Sequence, residues 1–123
     1  MRIEQLDHVQ LAMPQGGEER ARAFYGDLLG LPEVPKPSNL AARGGCWFEC
    51  GALKIHLGVD PAFVAARKAH PAFLIDDLNE LIGILSEAGH PVSEDEPLEG
   101  YKRCYVSDPF ENRIELMERD GHM

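Results

Sequence analysis

The chain is expected to be an α+β protein made of two βαβββ modules, and three observations point there. The order strand, helix, short strand, hairpin occurs twice along the 123 residues. The hydrophobic period switches between 2 and 3.6 at matching places in each half. The first and last strand of each half also carry one metal-capable side chain apiece, His8 and His56 in the first half, His70 and Glu115 in the second. His56 follows His8 by 48 residues and Glu115 follows His70 by 45, so the four occupy two equivalent pairs of places. If a pseudo-two-fold axis relates the halves, these strands curl around a common cleft and the four side chains converge on it. The whole chain, 1–123, reads as one domain, with modules at about 1–60 and 69–119.

The first strand is expected from Leu6 to Met13, with Leu6, His8, Gln10 and Ala12 on one face and Val9, Leu11 and Met13 on the other. Pro14 and the Gly16-Gly17 pair end it. Ala21, Phe24, Tyr25, Leu28 and Leu29 then form the stripe of an amphipathic helix, closed by Gly30 and opened by Glu18 and Glu19 at its positive end. The prolines between Leu31 and Gly45 leave room for one short edge strand and otherwise loop. Cys46 to Cys50 and Leu53 to Val59 flank Gly51-Ala52 as a hairpin. Its alternation puts Trp47 and Glu49 on one face of the first arm, and Lys54, His56 and Gly58 together on the second. Asp60 to Ala69 reads as a linker with room for a short helix.

His70 to Asp76 opens the second half as a strand. Asp76-Asp77 caps a helix with the stripe Leu78, Leu81, Ile82 and Leu85, ended by Gly89. Pro91 to Gly100 is an acidic loop that can hold one short edge strand, its Glu94-Asp95-Glu96 run solvated. Arg103 to Val106 and Arg113 to Glu118 form the last hairpin around Asp108-Pro109-Phe110-Glu111-Asn112, a run of turn-forming residues. Arg113, Glu115 and Met117 share one face of the final strand, so the Glu115 carboxylate is aimed at a surface or cleft, while Ile114 and Leu116 take the core face.

Composition restricts the function. A hydrophobic share of 44% and a net charge of −9 describe a globular chain that repels nucleic acid and anionic membrane surfaces and suits cationic ligands or solubility. No apolar run approaches the roughly 20 residues of a membrane span, and the N-terminus lacks an apolar leader, so no membrane partner is expected and the cytoplasm is the expected location. Cys46, Cys50 and Cys104 are odd in number, and Cys46 and Cys50 stand about 13 Å apart on an extended strand, so all three are expected to be reduced. His90 and His122, after a helix and in the tail, are read as local hydrogen-bonding residues.

Four stretches together resemble the vicinal oxygen chelate superfamily, which includes glyoxalase I, bleomycin-resistance proteins, extradiol dioxygenases and fosfomycin thiol transferases. They are Asp7-His8-Val9, Phe24-Tyr25-Gly26-Asp27-Leu28-Leu29-Gly30-Leu31, His70 to Asp76, and Asp108-Pro109 leading to Asn112-Arg113-Ile114-Glu115-Leu116. The resemblance implies the glyoxalase/bleomycin-resistance/dioxygenase fold, a U-shaped cleft, and one divalent metal ion held by His8, His56, His70 and Glu115. It also implies a small-molecule substrate and a homodimer, in which one chain supplies His8 and His56 and its partner supplies His70 and Glu115. In this reading His56 and Glu115 are the catalytic groups. Gln10, Trp47, Glu49, Arg103 and Tyr105 line the substrate, with Arg103 able to orient an anionic group. In the family turn a glycine usually stands where this chain has Glu111.

Three imidazoles and a carboxylate form an N/O donor set suited to Zn, Ni, Fe, Co or Mn, open to substrate rather than closed like a structural zinc site. If His8, His70 and Glu115 bind alone, the site is a two-histidine, one-carboxylate triad of the dioxygenase kind; if His56 joins, it resembles glyoxalase I with a histidine where that enzyme has a carboxylate. The expectation is a metal-dependent lyase/isomerase or extradiol-type dioxygenase. The alternatives are a metal-free ligand-sequestering protein of the bleomycin-resistance type and an antibiotic thiol transferase. The thiol transferases share the His8, His70 and Glu115 positions but surround them with a basic set, where this chain has an acidic loop.

Overall fold

The structure is a computed structural model and describes residues 1–120; His122 lies outside the described residues. The chain divides into two compact units, Met1–Val64 and Ala65–Met123. No helix among the described residues is long and apolar enough to cross a membrane.

The first unit holds β1 (Val9–Met13), α1 (Glu18–Ala21), β2 (Glu33–Val34), α2 (Ser38–Ala41), β3 (Cys46–Cys50) and β4 (Leu53–Val59). Its sheet runs β1-β4-β3-β2, with β1 parallel to β4 and the other pairs antiparallel. The alternation read from the sequence holds: Leu11, Met13, Cys46, Phe48, Ile55 and Leu57 are buried on one face against Ala21, Phe24 and Tyr25 of the helical layer. Three local details differ. β1 starts at Val9 rather than Leu6, its pairing with β4 beginning at Ile55. After α1 the helix widens to a π-helix over Arg22–Leu28, with Leu29 N–H donating to Phe24 O at 2.9 Å, five residues back. The wider turn breaks the 3.6-residue stripe, so Leu28 and Leu29 are only half-buried. The loop after β2 contains the short α2, which follows Pro37 and is absent from the sequence reading.

The turn before β3 is specified by Gly45. Its φ is +85°, and a Cβ there would lie 2.1 Å from Leu57 O. The Glu18 carboxylate accepts the Gly45 N–H at 2.8 Å, and this bond is the main cause that holds its carboxyl below the ordinary carboxylate range. A depressed folded-state pKa contributes stability above the unfolded value and loses it as pH falls through the folded one. Glu18→Gln is therefore expected to cost about 1 kcal/mol at neutral pH, a charge-assisted bond discounted for partial exposure. That deficit should shrink below about pH 4.5 in urea unfolding across pH, and a deficit independent of pH would contradict the assignment.

The second unit holds β5 (Ala72–Leu74), α3 (Leu78–Glu87), β6 (Tyr101–Ser107) and β7 (Arg113–Arg119), in a sheet ordered β5-β7-β6. β5 is parallel to β7, and β6 antiparallel to it. Asp77 caps α3, its Oδ1 accepting the Glu80 N–H at 3.1 Å, while Leu78 and Leu85 are buried beneath. The strand expected over His70 to Asp76 is pared to Ala72–Leu74, and the expected edge strand of this half is reduced to two isolated bridges, Ser93 to Tyr105 and Leu98 to Tyr101. Acidic residues 94–96 follow Ser93 directly and bear side chains that gain nothing from pairing. The linker 60–69 contains no helix.

The turn feeding β7 is pinned by Asp108. Its Oδ1 accepts the N–H groups of Phe110 at 2.8 Å and Asn112 at 2.9 Å, and its Oδ2 accepts Asn112 Nδ2 at 3.1 Å. Glu111 is forced to φ +73°, the only positive φ outside glycine among the described residues. A left-handed residue with a Cβ costs roughly 1–2 kcal/mol, of which glycine's extra unfolded-state freedom cancels part. Glu111→Gly should raise stability by about 0.5–1 kcal/mol in chemical denaturation, and a loss of stability would show that Glu111 compensates elsewhere.

Candidate functional site

In the first unit Gln10, His56 and Trp47 stand directly opposite one another on β1, β4 and β3. The two rings meet face to face, Trp47 and His56 lying 4.0 Å apart between centroids and 3° from parallel. His8, just before β1, stacks on the other side of His56 at 4.4 Å. Flanked on both sides, the His56 ring is 4% exposed although it sits on the open face of its strand. Glu49, two residues beyond Trp47 on the same strand face, places Oε2 2.9 Å from His56 Nε2. Gln10 lies over Gly58, where an added Cβ would come within 2.6 Å of its Nε2; glycine at 58 makes room for the amide. His8 Nδ1 lies 3.0 Å from Asp7 Oδ2. That contact, ahead of the nearby Lys54 ammonium, holds the Asp7 carboxyl below its ordinary value. With Nδ1–H donated to Asp7, the other nitrogen of His8 carries the free lone pair.

In the second unit Glu115 on β7 lies between Ala72 on β5 and Tyr105 on β6. The sequence pattern aimed its carboxylate at a surface or cleft; it is 7% exposed, because partners from both neighbouring strands cover it. Its Oε1 is 2.9 Å from His70 Nε2, and the His70 Nδ1–H donates to Lys68 O at 2.8 Å. Its Oε2 accepts Arg103 Nη1 at 3.2 Å. The same Nη1 donates to Tyr105 Oη at 2.9 Å, and Arg103 Nη2 donates to Glu96 O at 2.6 Å. Arg103 was expected to orient an anionic group; its two terminal nitrogens are instead engaged within the chain, and the bond to Glu115 raises its pKa further. Its Nε is a buried donor with no partner among the described residues. The Tyr105 ring meets His70 edge-on at 5.4 Å, and the Arg113 guanidinium lies 3.8 Å from its centroid.

The structure thus forms two pairs, His8 with His56 and His70 with Glu115. Among the described residues no group of three or more His, Cys, Asp or Glu side chains is gathered that could hold a metal ion. The pairs nonetheless have metal-binding chemistry. His8 and His70 each have one ring nitrogen committed to an oxygen acceptor, a carboxylate and a carbonyl, which fixes the ring and leaves the other nitrogen for a second partner, Glu115 in the case of His70. An imidazole facing a carboxylate at 2.9 Å is a borderline N/O set suited to a divalent transition ion. Sequence reasoning missed Asp7 and the Lys68 carbonyl as supports. Asp7 was legible as a neighbour of His8, whereas the carbonyl leaves no trace in side-chain pattern.

No protein-family model and no curated protein matches the chain. Among solved structures, a glyoxalase family protein from Bacillus anthracis is 49% identical, with 98% of each chain covered and a TM-score of 0.92. A glyoxalase/dioxygenase from Nostoc punctiforme is 20% identical over 95% of this chain and 92% of that one, with a TM-score of 0.76. The fosfomycin resistance protein FosX from Listeria monocytogenes is 18% identical over 99% and 97%, also at 0.76. The last two likenesses speak to the fold. With near-half identity over the full length of the first, and βαβββ order in the first unit, the chain belongs to the glyoxalase family of the vicinal oxygen chelate superfamily.

Proposed function

We propose that the protein is a metal-dependent enzyme of the glyoxalase/dioxygenase type acting on a small molecule, its single domain acting as a homodimer. His8, His70 and Glu115 hold one divalent ion, and His56 stands beside it with Glu49. The observation that carries this reading is the matched pair in each unit, with ring nitrogens fixed by outer oxygen acceptors. The bound ion would supply Lewis acidity toward vicinal substrate oxygens and acidify a neighbouring proton.

The chain's own residues divide the remaining work. His56 has its Nε2 committed to Glu49 and its ring clamped between Trp47 and His8, which favours a proton-handling role over ligation. Glu49 supplies the carboxylate absent at position 56 and can accept a proton directly or through His56. Arg103, bonded to both Glu115 and Tyr105, holds that carboxylate in one orientation.

In the proposed dimer one chain gives His8 and its partner gives His70 and Glu115. Subunit mixing tests this arrangement. His8→Ala and Glu115→Gln should each lose tight zinc binding as pure proteins. After unfolding and co-refolding, each mixed dimer would carry one intact site, and zinc binding would return to about one ion per mixed dimer. If zinc binding is lost in both and no recovery follows mixing, the two-chain site is wrong. Wild-type protein that binds no stoichiometric metal would favour ligand sequestration instead.

A further inference from the structure

The second unit contains a cavity of about 290 Å³ whose wall includes Arg67, Arg113, Ser93, Ser107, Tyr105 and Glu111. We propose that it is an oxyanion subsite, in which Arg67 and Arg113 bind a carboxylate- or phosphate-class group of the substrate while other substrate oxygens reach the metal. The inference rests on the catalytic reading for its link to turnover; the anion binding itself does not.

The cavity is built rather than incidental. Ala66 N–H donates to Asn112 Oδ1 at 2.9 Å, and Arg113 N–H donates to Ala66 O at 2.8 Å, which fixes Arg67 beside the start of β7. Two arginines therefore line one cavity in a chain of net charge −9. Arg67 makes no hydrogen bond or ion pair among the described residues. The Arg113 guanidinium carbon lies over the Tyr105 ring, 3.8 Å from its centroid, and its nearest carboxylate oxygen, Asp95 Oδ2, is a loose 3.7 Å away. Like charges in one wall repel unless an anion joins them, and guanidinium forks match planar or tetrahedral oxyanions. Serine side chains at 93 and 107 add neutral hydroxyl donors to the same wall.

Placement ties the cavity to the reaction. Tyr105 is common to both, carrying Arg113 on its ring and meeting His70 edge-on. Arg103 cannot take this role, because its terminal nitrogens are bound to Glu115, Tyr105 and Glu96. Glu111 opposes an incoming anion from the same wall, at a residue strained to φ +73°. Its carboxylate is the counter-charge an anionic ligand must overcome, which gives the proposal a second handle.

The test uses the full chain, treated with chelator and labelled with ¹⁵N, titrated with inorganic phosphate or acetate at constant ionic strength held by chloride. Saturable shifts are expected at the backbone amides of Ser93 and Ser107 and at the Nε–H signals of Arg67 and Arg113, with one or both anions. Arg67→Gln, at an exposed position, and Arg113→Gln should each weaken binding about tenfold or more, and Glu111→Gln should strengthen it. Arg43→Gln, in the first unit, should leave it unchanged. Absence of saturable shifts for both anions, or equal affinity in wild type, Arg67→Gln and Glu111→Gln, overturns the proposal. A parallel zinc titration reports on the metal reading alone, so either reading can fail without the other.

Discussion

Glu115→Ala is expected to weaken divalent-metal binding by more than the roughly 10–100-fold that loss of an outer-shell partner costs. The carboxylate holds a place no neighbour can fill: His70 faces one of its oxygens and Arg103 the other. Its removal also leaves the half-buried Arg103 guanidinium beside a vacancy, with only Tyr105 and Glu96 as acceptors. A fall in thermal stability should accompany the loss of metal affinity, and Glu115→Gln separates the two. The amide keeps an oxygen for Arg103 but is a poor ligand, so it should lose metal with a smaller loss of stability. Equal metal affinity in Glu115→Gln and wild type, by competition with a chromophoric chelator, would remove Glu115 from the ligand set.

Asp108→Ala is expected to destabilise the fold by about 3–5 kcal/mol, from buried donors left without acceptors at roughly 1–3 kcal/mol each. Asp108 is 1% exposed, and its carboxylate accepts two backbone N–H groups and the Asn112 amide. Asn112 in turn accepts the Ala66 N–H, so the loss spreads to the segment bearing Arg67. Urea unfolding measures it, and a change below about 1 kcal/mol would mean that water or a shifted backbone satisfies those groups. Asp108→Asn should fall between, since its one oxygen replaces two and its NH2 group meets donors.

The sequence made the fold legible because its signals are local. Alternation assigned both faces of β3, β4 and β7, and the Asp77 cap and Gly89 bounded α3 to within a residue or two. Where the reading failed, the cause was non-local. β1 and β5 extend only as far as their parallel pairing with β4 and β7, a long-range register, and the burial of Glu115 is set by residues 43 and 10 positions away, Ala72 and Tyr105. The π-helical turn depends on backbone bonds that leave the apolar stripe only slightly out of phase. At the site, the face of each candidate residue was readable from periodicity, but its partners were not. That His56 would bond to Glu49 and stack between Trp47 and His8 follows from cross-strand register, and the engagement of Arg103 follows from the bend of the 94–98 loop toward β6. Glu111 was the one strained residue visible beforehand, since a glycine position occupied by a larger side chain announces itself.

The central claim is that His8, His70 and Glu115 together hold one divalent ion beside His56. Titration of chelator-treated protein with zinc, followed by calorimetry and by the fluorescence of Trp47, tests it most directly. Trp47 is the only tryptophan and lies 4.0 Å from His56, so an ion bound next to that ring should change its emission. The account predicts saturation at one zinc per chain with a concurrent fluorescence change; no saturable heat, or binding that persists unaltered when His70 and Glu115 are both replaced, would contradict it.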